Sequence, residues 1–227
     1  MSNYVLVAGN LPTEAWNRLT GRNDYTYKGY LGGKIWNQVI PALESQGHSI
    51  FAPTLKNEET YSLSDQIEEI SQLILQYDLK KVILVGASYC GMVITGVANK
   101  ISDRIDLLVY LDAVLPEPGQ SVADIFKSAH FFTKMPIENS PTYTEELHFD
   151  PQKIQLIPKL YVLCTESNFT SVTSLAKQII AKDEVNWTYT ELATSHLSMV
   201  THPDELTRLL LSVKIQYSPL PTKKSLA

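Results

Sequence analysis

Short apolar runs alternate along the chain with longer segments in which apolar residues recur at helical spacing. The apolar runs predict strands, which lie at residues 4–8, 48–51, 81–86, 105–111, 160–164 and 185–190. The amphipathic segments predict helices, which lie at residues 34–46, 62–77, 89–100, 172–181 and 203–217. Repeated strand–helix units need crossover connections, and such connections produce a parallel sheet covered by helices on both faces. The pattern therefore predicts an α/β fold with a mainly parallel six-stranded sheet.

Two segments fall outside this alternation. Residues from about 115 to 157 have a mixed pattern of apolar and polar positions. Residues from about 218 to 227 are mostly polar, which predicts a flexible tail. The chain has no internal repeat, low-complexity tract or interdomain linker, so we expect a single domain over residues 1–227.

Composition and charge exclude several functions. The chain has 227 residues and a net charge of −5, and no block of Lys and Arg could neutralise phosphates, so no nucleic-acid partner is expected. No apolar run is long enough to cross a membrane, and the chain opens with a strand instead of a signal peptide, so we expect a cytoplasmic protein. Cys90 and Cys164 lie in or beside apolar segments, which predicts two buried, reduced thiols. The sequence leaves a homodimer open.

The residues that follow the predicted strands are the candidates for chemistry, because ligands of parallel sheets bind at the carboxyl ends of the strands. These positions hold Gly9, Asn10, Ser88, Asp112, Glu166 and His196. The first strand leads into AGNLPTEAW, which lacks the second and third glycines of a dinucleotide site. The histidines and cysteines have no metal-ligand spacing, so neither a metal nor another cofactor is expected.

Ser88 stands at the junction of a predicted strand and a predicted helix, in VILVGASYCG. Small neighbours suit a serine held in a strained turn, because bulky side chains there would collide with the adjacent helix and strand. The stretch GASYCG resembles the G-x-S-x-G nucleophile elbow of the α/β-hydrolases. It departs from that motif at Cys90, which replaces the second glycine, and Gly91 follows it.

The resemblance extends over most of the chain, to the small esterase and hydroxynitrile-lyase branch of the α/β-hydrolases. It is carried by WNQVIPALESQGHSIFAPTL, VGASYCGMVITGVA, VYLDAVLPEPGQSV and ELATSHLSMVTHPDEL. The resemblance implies the α/β-hydrolase fold with Ser88 as the nucleophile. It further implies a reduced cap, with residues from about 115 to 157 as a short lid segment. It also implies that His196 is the general base, since His196 is the histidine in the loop from which an imidazole can reach the serine.

The same resemblance implies an oxyanion hole made of two backbone amides. Tyr89, which follows the serine, would supply one amide, and Asn10 or Leu11 after the first strand would supply the other. The branch usually has a histidine where this chain has Ala8, so the local support of this turn is altered.

A serine and a histidine of this kind usually act with an acidic residue as a catalytic triad. The sequence does not decide which residue is that acid. The branch's usual acid follows the strand at 160–164 in phrases like CTED, whereas this chain reads CTESNF and has Ser167 there. Asp112, after the preceding strand, is the favoured substitute, because some lipases of this fold carry their acid there. Glu166 is the alternative acid, although strand alternation can turn it away from His196. A Ser-His dyad without an acid is the third option.

The first loop is longer than the branch usually has. It interleaves aromatic residues with glycines and polar residues, namely Trp16, Tyr25, Tyr27 and Tyr30. One interpretation is that residues 12–33 cover the site and offer aromatic faces to a flat or apolar substrate. The other is a surface loop whose tyrosines pack on their own backbone.

The resemblance predicts a serine hydrolase that acts on an ester, thioester or lactone of a small apolar or aromatic molecule. The reaction would pass through an acyl-enzyme and end in hydrolysis or cyclisation. The alternative is a non-hydrolytic member of the fold, either a ligand-binding protein or a cofactor-free lyase or cyclase, because Ala8, Cys90 and Ser167 depart from the family pattern. A cyanohydrin lyase is disfavoured, since its relatives carry a lysine close after the catalytic histidine and SHLSMVTHP has none.

Overall fold

Six parallel strands form the centre of the protein in a computed structural model. The structure describes residues 1–10, 32–131, 137–183 and 186–217, with the backbone alone described at 214–217. The strands, β1 to β6, are Asn3–Val7, Ser49–Phe51, Val82–Ala87, Ile105–Leu111, Lys159–Cys164 and Trp187–Leu192. Their order across the sheet is β2-β1-β3-β4-β5-β6, and every neighbouring pair is parallel. The predicted six-stranded parallel sheet is confirmed.

Helices connect these strands. The α-helices of the described residues, α1 to α9, are Ile40–Ser45, Leu63–Gln76, Cys90–Lys100, Val122–Ser128, Pro141–Thr144, Pro151–Ile154, Thr170–Ile180, Ser198–Thr201 and Pro203–Tyr217. Short 3-10 turns lie at Gly32–Trp36, Ser102–Arg104 and Ile137–Asn139. The start of α2 has a clear local cause, because Ser62 and Asp65 form a capping box in which each side chain accepts a hydrogen bond from the other's backbone amide.

The predicted helix over residues 34–46 is wrong in its first half. The structure has the 3-10 turn Gly32–Trp36 there, and α1 begins only at Ile40. Pro41 explains the break, because a proline has no N–H for a helical hydrogen bond and is tolerated only in the first turn. The last strand is also displaced from the predicted 185–190, and its final residue Leu192 pairs with the final residue of β5.

Each face of the sheet packs against its own layer of helices. Side chains of a strand alternate between the faces, so Tyr4 and Leu6 of β1 join one buried cluster while Val5 and Val7 join the other. The cluster of Tyr4 includes residues of α1 and α9, and the cluster of Val5 includes residues of α2 and α3. All residues of β3 are buried, as expected for a central strand of a sheet covered on both faces. The predicted helical layers on both faces are confirmed.

The segment interpreted as a lid, residues 115–157, folds where described into α4, α5, α6 and a 3-10 turn. Two hydrogen bonds to backbone carbonyls join its middle to the loop between β2 and α2. The Thr142 hydroxyl donates to the Tyr61 carbonyl at 2.7 Å, and the Ser140 hydroxyl donates to the Glu58 carbonyl at 2.6 Å. None of the helices in the described ranges combines the length and apolar character needed to cross a bilayer.

Candidate active site

The strand order creates a crevice at the carboxyl ends of β1 and β3. The chain leaves β1 for β2 on one side and returns to β3 on the other side, and open α/β sheets bind their ligands at such a switch point. Asn10 lies shortly after β1, and Ser88 follows β3 directly. Asp112 follows β4, which is the next strand of the sheet. Three of the predicted site residues therefore lie at one edge of the sheet.

Ser88 has a left-handed backbone conformation, with a φ of 59°. Residues with a side chain rarely adopt this conformation, and it persists only where the surrounding structure holds it. Here the Ser88 amide donates to the Leu111 carbonyl at 3.3 Å, and the Ser88 carbonyl accepts from the Val114 amide at 3.0 Å. The end of β4 and the segment after it thus fix the turn that presents the Ser88 hydroxyl.

Glycines on both sides of Ser88 allow the close packing of this turn. A Cβ atom on Gly86 would lie 2.7 Å from the Cys90 carbonyl oxygen, and one on Gly91 would lie 1.9 Å from the Val114 carbonyl oxygen. Cys90, at the position of the motif's second glycine, is itself fully buried in the core. The chain therefore accommodates a side chain at residue 90 and has no room for one at residue 91.

We expect Gly91→Ala to lower the free energy of unfolding by about 1–3 kcal/mol, because the added methyl group forces the backbone carbonyl of Val114 to move. Equilibrium unfolding in urea measures the change. Lys100→Ala, at the exposed end of the same helix, is the matched control and should shift stability by less than about 0.5 kcal/mol. Equal midpoints for the two variants would contradict the packing argument.

Asp112 and His196 are in direct contact. Nδ1 of His196 lies 2.7 Å from Oδ2 of Asp112. Asp112 is fully buried, and the His196 side chain is 16% exposed. The second carboxylate oxygen, Oδ1, accepts a hydrogen bond from the Cys164 amide at 3.1 Å, and the ring of Phe169 packs against the imidazole at 4.8 Å between centroids. Because Asp112 engages Nδ1, Nε2 is the imidazole nitrogen left for another partner.

Glu166 and Ser167 have other surroundings. The Glu166 side chain is exposed, and its amide donates to the Thr194 carbonyl at 3.0 Å. Ser167 is buried, and its hydroxyl accepts a hydrogen bond from the Phe169 amide at 3.0 Å. Of the two carboxylates considered from the sequence, Asp112 is the one that the structure brings to His196. Ser167 instead supports the residue that packs on the imidazole.

The amides considered for an oxyanion hole differ in their hydrogen bonding. Tyr89 immediately precedes α3, and within the described ranges its amide donates to no other group. The Asn10 amide already donates to Oε1 of Glu58, at 2.6 Å. The remaining residues singled out in the first loop lie outside the described residues, namely Leu11, Trp16, Tyr25, Tyr27 and Tyr30.

Glu58 is a residue of this region that the sequence analysis missed. It is 6% exposed, and its Oε2 accepts a hydrogen bond from the Tyr143 hydroxyl at 3.1 Å. Burial raises the pKa of the Glu58 carboxyl above its ordinary value, whereas the hydrogen bonds from Asn10 and Tyr143 act in the opposite direction. The stretch KNEET reads as a solvated loop, and its pattern contains no signal that one of the two glutamates is buried.

The two cysteines are free and buried, as predicted. Burial raises the pKa of the Cys90 thiol well above its ordinary value and that of Cys164 to about 12. A thiol with so high a pKa is a poor nucleophile at neutral pH, so Cys90 does not compete with Ser88 at this turn. Within the parts of the chain that the structure describes, no three His, Cys, Asp or Glu side chains gather to hold a metal ion.

No protein-family model matches this chain. Several known enzymes are similar to part of it, and two of them are described here. The carbendazim hydrolyzing esterase of Nocardioides sp. (strain SG-4G) is 36% identical over 137 residues, which cover 57% of this chain and 49% of that enzyme. The (S)-hydroxynitrile lyase of Manihot esculenta is 26% identical over 170 residues, which cover 66% of this chain and 63% of that enzyme. The chain thus matches only about half to two thirds of the length of these relatives.

A solved structure similar to this one covers nearly the whole chain. An extracellular α/β-hydrolase from a Paenibacillus species superposes with a TM-score of 0.71 over 93% of this chain and 98% of that chain, at 20% identity. At this identity the likeness concerns the fold. The two relatives described above are an esterase and a hydroxynitrile lyase, which are the two enzyme classes of the branch that the sequence resembles.

Proposed function

We propose that this protein, which has the α/β-hydrolase fold, is an esterase that cleaves a carboxylic ester of a small molecule through an acyl-enzyme. One observation carries this proposal, the 2.7 Å contact between Asp112 and His196 at the sheet edge that also holds the strained Ser88. A hydroxyl, an imidazole and a buried carboxylate from separate strand ends are the groups that together activate a serine for nucleophilic attack.

In the proposed reaction His196 acts first as a base and then as an acid. Asp112 holds the proton on Nδ1 and stabilises the imidazolium that forms. Nε2 takes the hydroxyl proton of Ser88 while the serine oxygen bonds to the ester carbonyl carbon, and the imidazolium then gives the proton to the leaving alcohol. Water, activated by His196 in the same way, attacks the acyl-enzyme and releases the carboxylic acid and free Ser88.

The carbonyl oxygen of the ester becomes negatively charged during each attack. The Tyr89 amide is the donor that we assign to this oxygen, because it directly follows Ser88 and is unpaired within the described residues. Loss of a single oxyanion donor costs about 10²–10³ in turnover in well-studied serine enzymes, so the state of the second donor, Asn10, matters for the rate.

The surroundings of His196 favour an apolar or aromatic substrate. Phe169, which packs on the imidazole, also contacts Phe131 at 5.0 Å and Phe126 at 5.7 Å between ring centroids. Phe126 belongs to α4, so the lid segment contributes aromatic surface near the imidazole. Esterases among the relatives favour an ester over a thioester or lactone and hydrolysis over cyclisation.

A fluorophosphonate probe tests the proposal without knowledge of the substrate. We expect one adduct per chain by intact mass, and we expect peptide mapping to place it on Ser88. Hydrolysis of p-nitrophenyl esters of increasing acyl size, from acetate to benzoate, should then show a preference for apolar or aromatic acyl groups. A folded protein that forms no adduct would contradict the proposal.

A non-hydrolytic lyase or cyclase is the second candidate function. The observation that favours it is the hydrogen bond from the Asn10 amide to Glu58, which leaves one of the two expected oxyanion donors engaged. Cyanide release from a cyanohydrin, together with no Ser88 adduct in a probe experiment, would favour this candidate. The segment after His196, LSMVTHP, contains no lysine, which weighs against cyanohydrin chemistry.

The remaining expectations stay predictions from the sequence. They are the cytoplasmic location, the lack of a nucleic-acid partner, the homodimer and the single domain. The predicted flexible tail, residues 218–227, lies outside the described residues.

A further inference from the structure

Glu58 occupies an unusual place for a carboxyl group. It lies in the loop between β2 and α2, almost fully buried, against the turn that follows β1. The titratable and hydrogen-bonding groups that face it within the described residues are the Asn10 amide, Tyr89, Cys90, Tyr143 and the adjacent Glu59. None of these groups carries a positive charge, so the described residues provide no ion pair that would hold Glu58 as a carboxylate.

The carboxyl oxygens of Glu58 connect the candidate oxyanion hole with the lid segment. Oε1 accepts from the Asn10 amide at 2.6 Å, and Oε2 accepts from the Tyr143 hydroxyl of α5 at 3.1 Å. The ring of Tyr143 in turn packs edge-on against Tyr89 at 5.0 Å, beside Ser88. A Cβ atom on Gly9 would lie 3.0 Å from Oε1, so the carboxyl group fits closely against the turn after β1.

The hydrogen bond from Asn10 affects the chemistry because a backbone amide has only one hydrogen to donate. While Glu58 accepts it, an ester oxygen cannot accept it at full strength. An ionised Glu58 beside the Asn10 amide would also repel the negative oxygen of the tetrahedral intermediate, and a site that excludes water strengthens this repulsion. A neutral carboxyl group lacks that repulsion and is a weaker acceptor for the amide.

We propose that Glu58 is a positioning residue of the candidate site, which withholds the Asn10 amide from the substrate while it is ionised and releases the amide to the reacting oxygen when it is neutral. This inference rests on the proposed function, because it requires an oxyanion beside Asn10. Ionisation of Glu58 then slows the acylation of Ser88. The acylation rate therefore falls with pH as Glu58 loses its proton.

The buried position extends the pH range over which the Glu58 carboxyl is neutral. Burial raises the pKa of its carboxyl, so the neutral form persists to higher pH than in an exposed glutamate. The Tyr143 hydrogen bond lowers the same pKa, because the hydroxyl stabilises the carboxylate. The part of the pH–rate profile in which the acylation rate falls is called the falling limb below. Removing the Tyr143 hydroxyl should move this falling limb to higher pH.

The experiment measures the rate of fluorophosphonate labelling of Ser88 between pH 5 and pH 10 in the full chain. In the wild-type protein we expect a falling limb that approaches about tenfold per pH unit, since the neutral fraction of a single acid falls by that factor. Glu58→Gln, a permanently neutral carboxamide of the same shape, should lack this limb and exceed the wild-type rate at the alkaline end by at least about tenfold. Tyr143→Phe should shift the limb upward in pH.

Glu59→Gln is the matched control, because Glu59 is the exposed neighbour. Its charge raises the Glu58 pKa, so this variant should keep the falling limb and shift it only toward lower pH, opposite to Tyr143→Phe. A wild-type profile without a falling limb, or the same falling limb in Glu58→Gln, would overturn the inference while Ser88 labelling upheld the proposed function. Absence of labelling at every pH would overturn both. In another outcome, Glu58→Gln labels more slowly than the wild-type protein by the same factor at every pH and keeps the falling limb. That result would show a purely structural role for Glu58 and would also overturn the inference.

Discussion

Replacing Ser88 with alanine should abolish fluorophosphonate labelling and lower ester hydrolysis by about 10⁶, the loss seen when a serine protease loses its nucleophile. The physical reason is that no other group at the elbow can attack a carbonyl carbon, since Cys90 is buried with a raised pKa. Intact mass after labelling and a p-nitrophenyl ester assay measure the two effects. Cys90→Ala should retain the adduct.

The base assignment is tested in the same assay. His196→Ala should remove nearly all labelling, whereas His202→Ala should leave it in place, because His202 contacts Thr201 and lies at the start of α9. An adduct that survives unchanged in Ser88→Ala would place the nucleophile elsewhere. Equal labelling of the two histidine variants would remove His196 from the mechanism.

Asp112→Asn should lower turnover by about four orders of magnitude, as loss of the triad acid does in a serine protease. An asparagine oxygen can still accept the hydrogen bond from the Cys164 amide, so the fold should survive the change. The amide cannot balance the charge of the imidazolium and would favour the wrong imidazole tautomer. Steady-state kinetics of the purified variant measure the loss of turnover, and a thermal melt shows whether the fold has lost stability.

Glu166→Gln is the matched control for the acid, because Glu166 is exposed and was the alternative in the sequence. We expect its turnover to stay near that of the wild-type protein. A large loss in Glu166→Gln together with a small loss in Asp112→Asn would move the acid to Glu166. Wild-type turnover in both variants would point to a Ser-His dyad.

The sheet and the neighbours of Ser88 could be predicted because their signals are local. Apolar runs such as VILVGA mark strands that are buried on both sides, and the order of the strands decides which of their ends lie together. Ala87 pairs with Leu111, so Ser88 and Asp112, one residue further on each strand, come out of the sheet side by side. The resemblance to lipases of this fold favours Asp112 over Glu166 as the partner of His196, and the structure brings Asp112 to it.

The surroundings of Glu58 could not be predicted because they depend on contacts between distant segments. Asn10 and Tyr143 are separated from Glu58 by 48 and 85 positions, and no periodic pattern encodes either contact. A polar loop such as KNEET looks the same whether it is solvated or covered by a lid. The break before α1 is a different case, because its cause, Pro41, is visible in the sequence, and a proline restricts a helix to begin at or near it.

The hydrogen bond between the Cys164 amide and Asp112 extends the β4–β5 ladder by one rung that a side chain completes. The hydrogen-exchange rate of the Cys164 amide consequently reports on this contact. Its protection factor measures how firmly the carboxylate is held, and it can be read by deuterium labelling and mass spectrometry without substrate. Local opening of the β4–β5 ladder at this end would free the Asp112 carboxylate before the whole sheet unfolds. Loss of the active conformation on heating can therefore be followed at one backbone position.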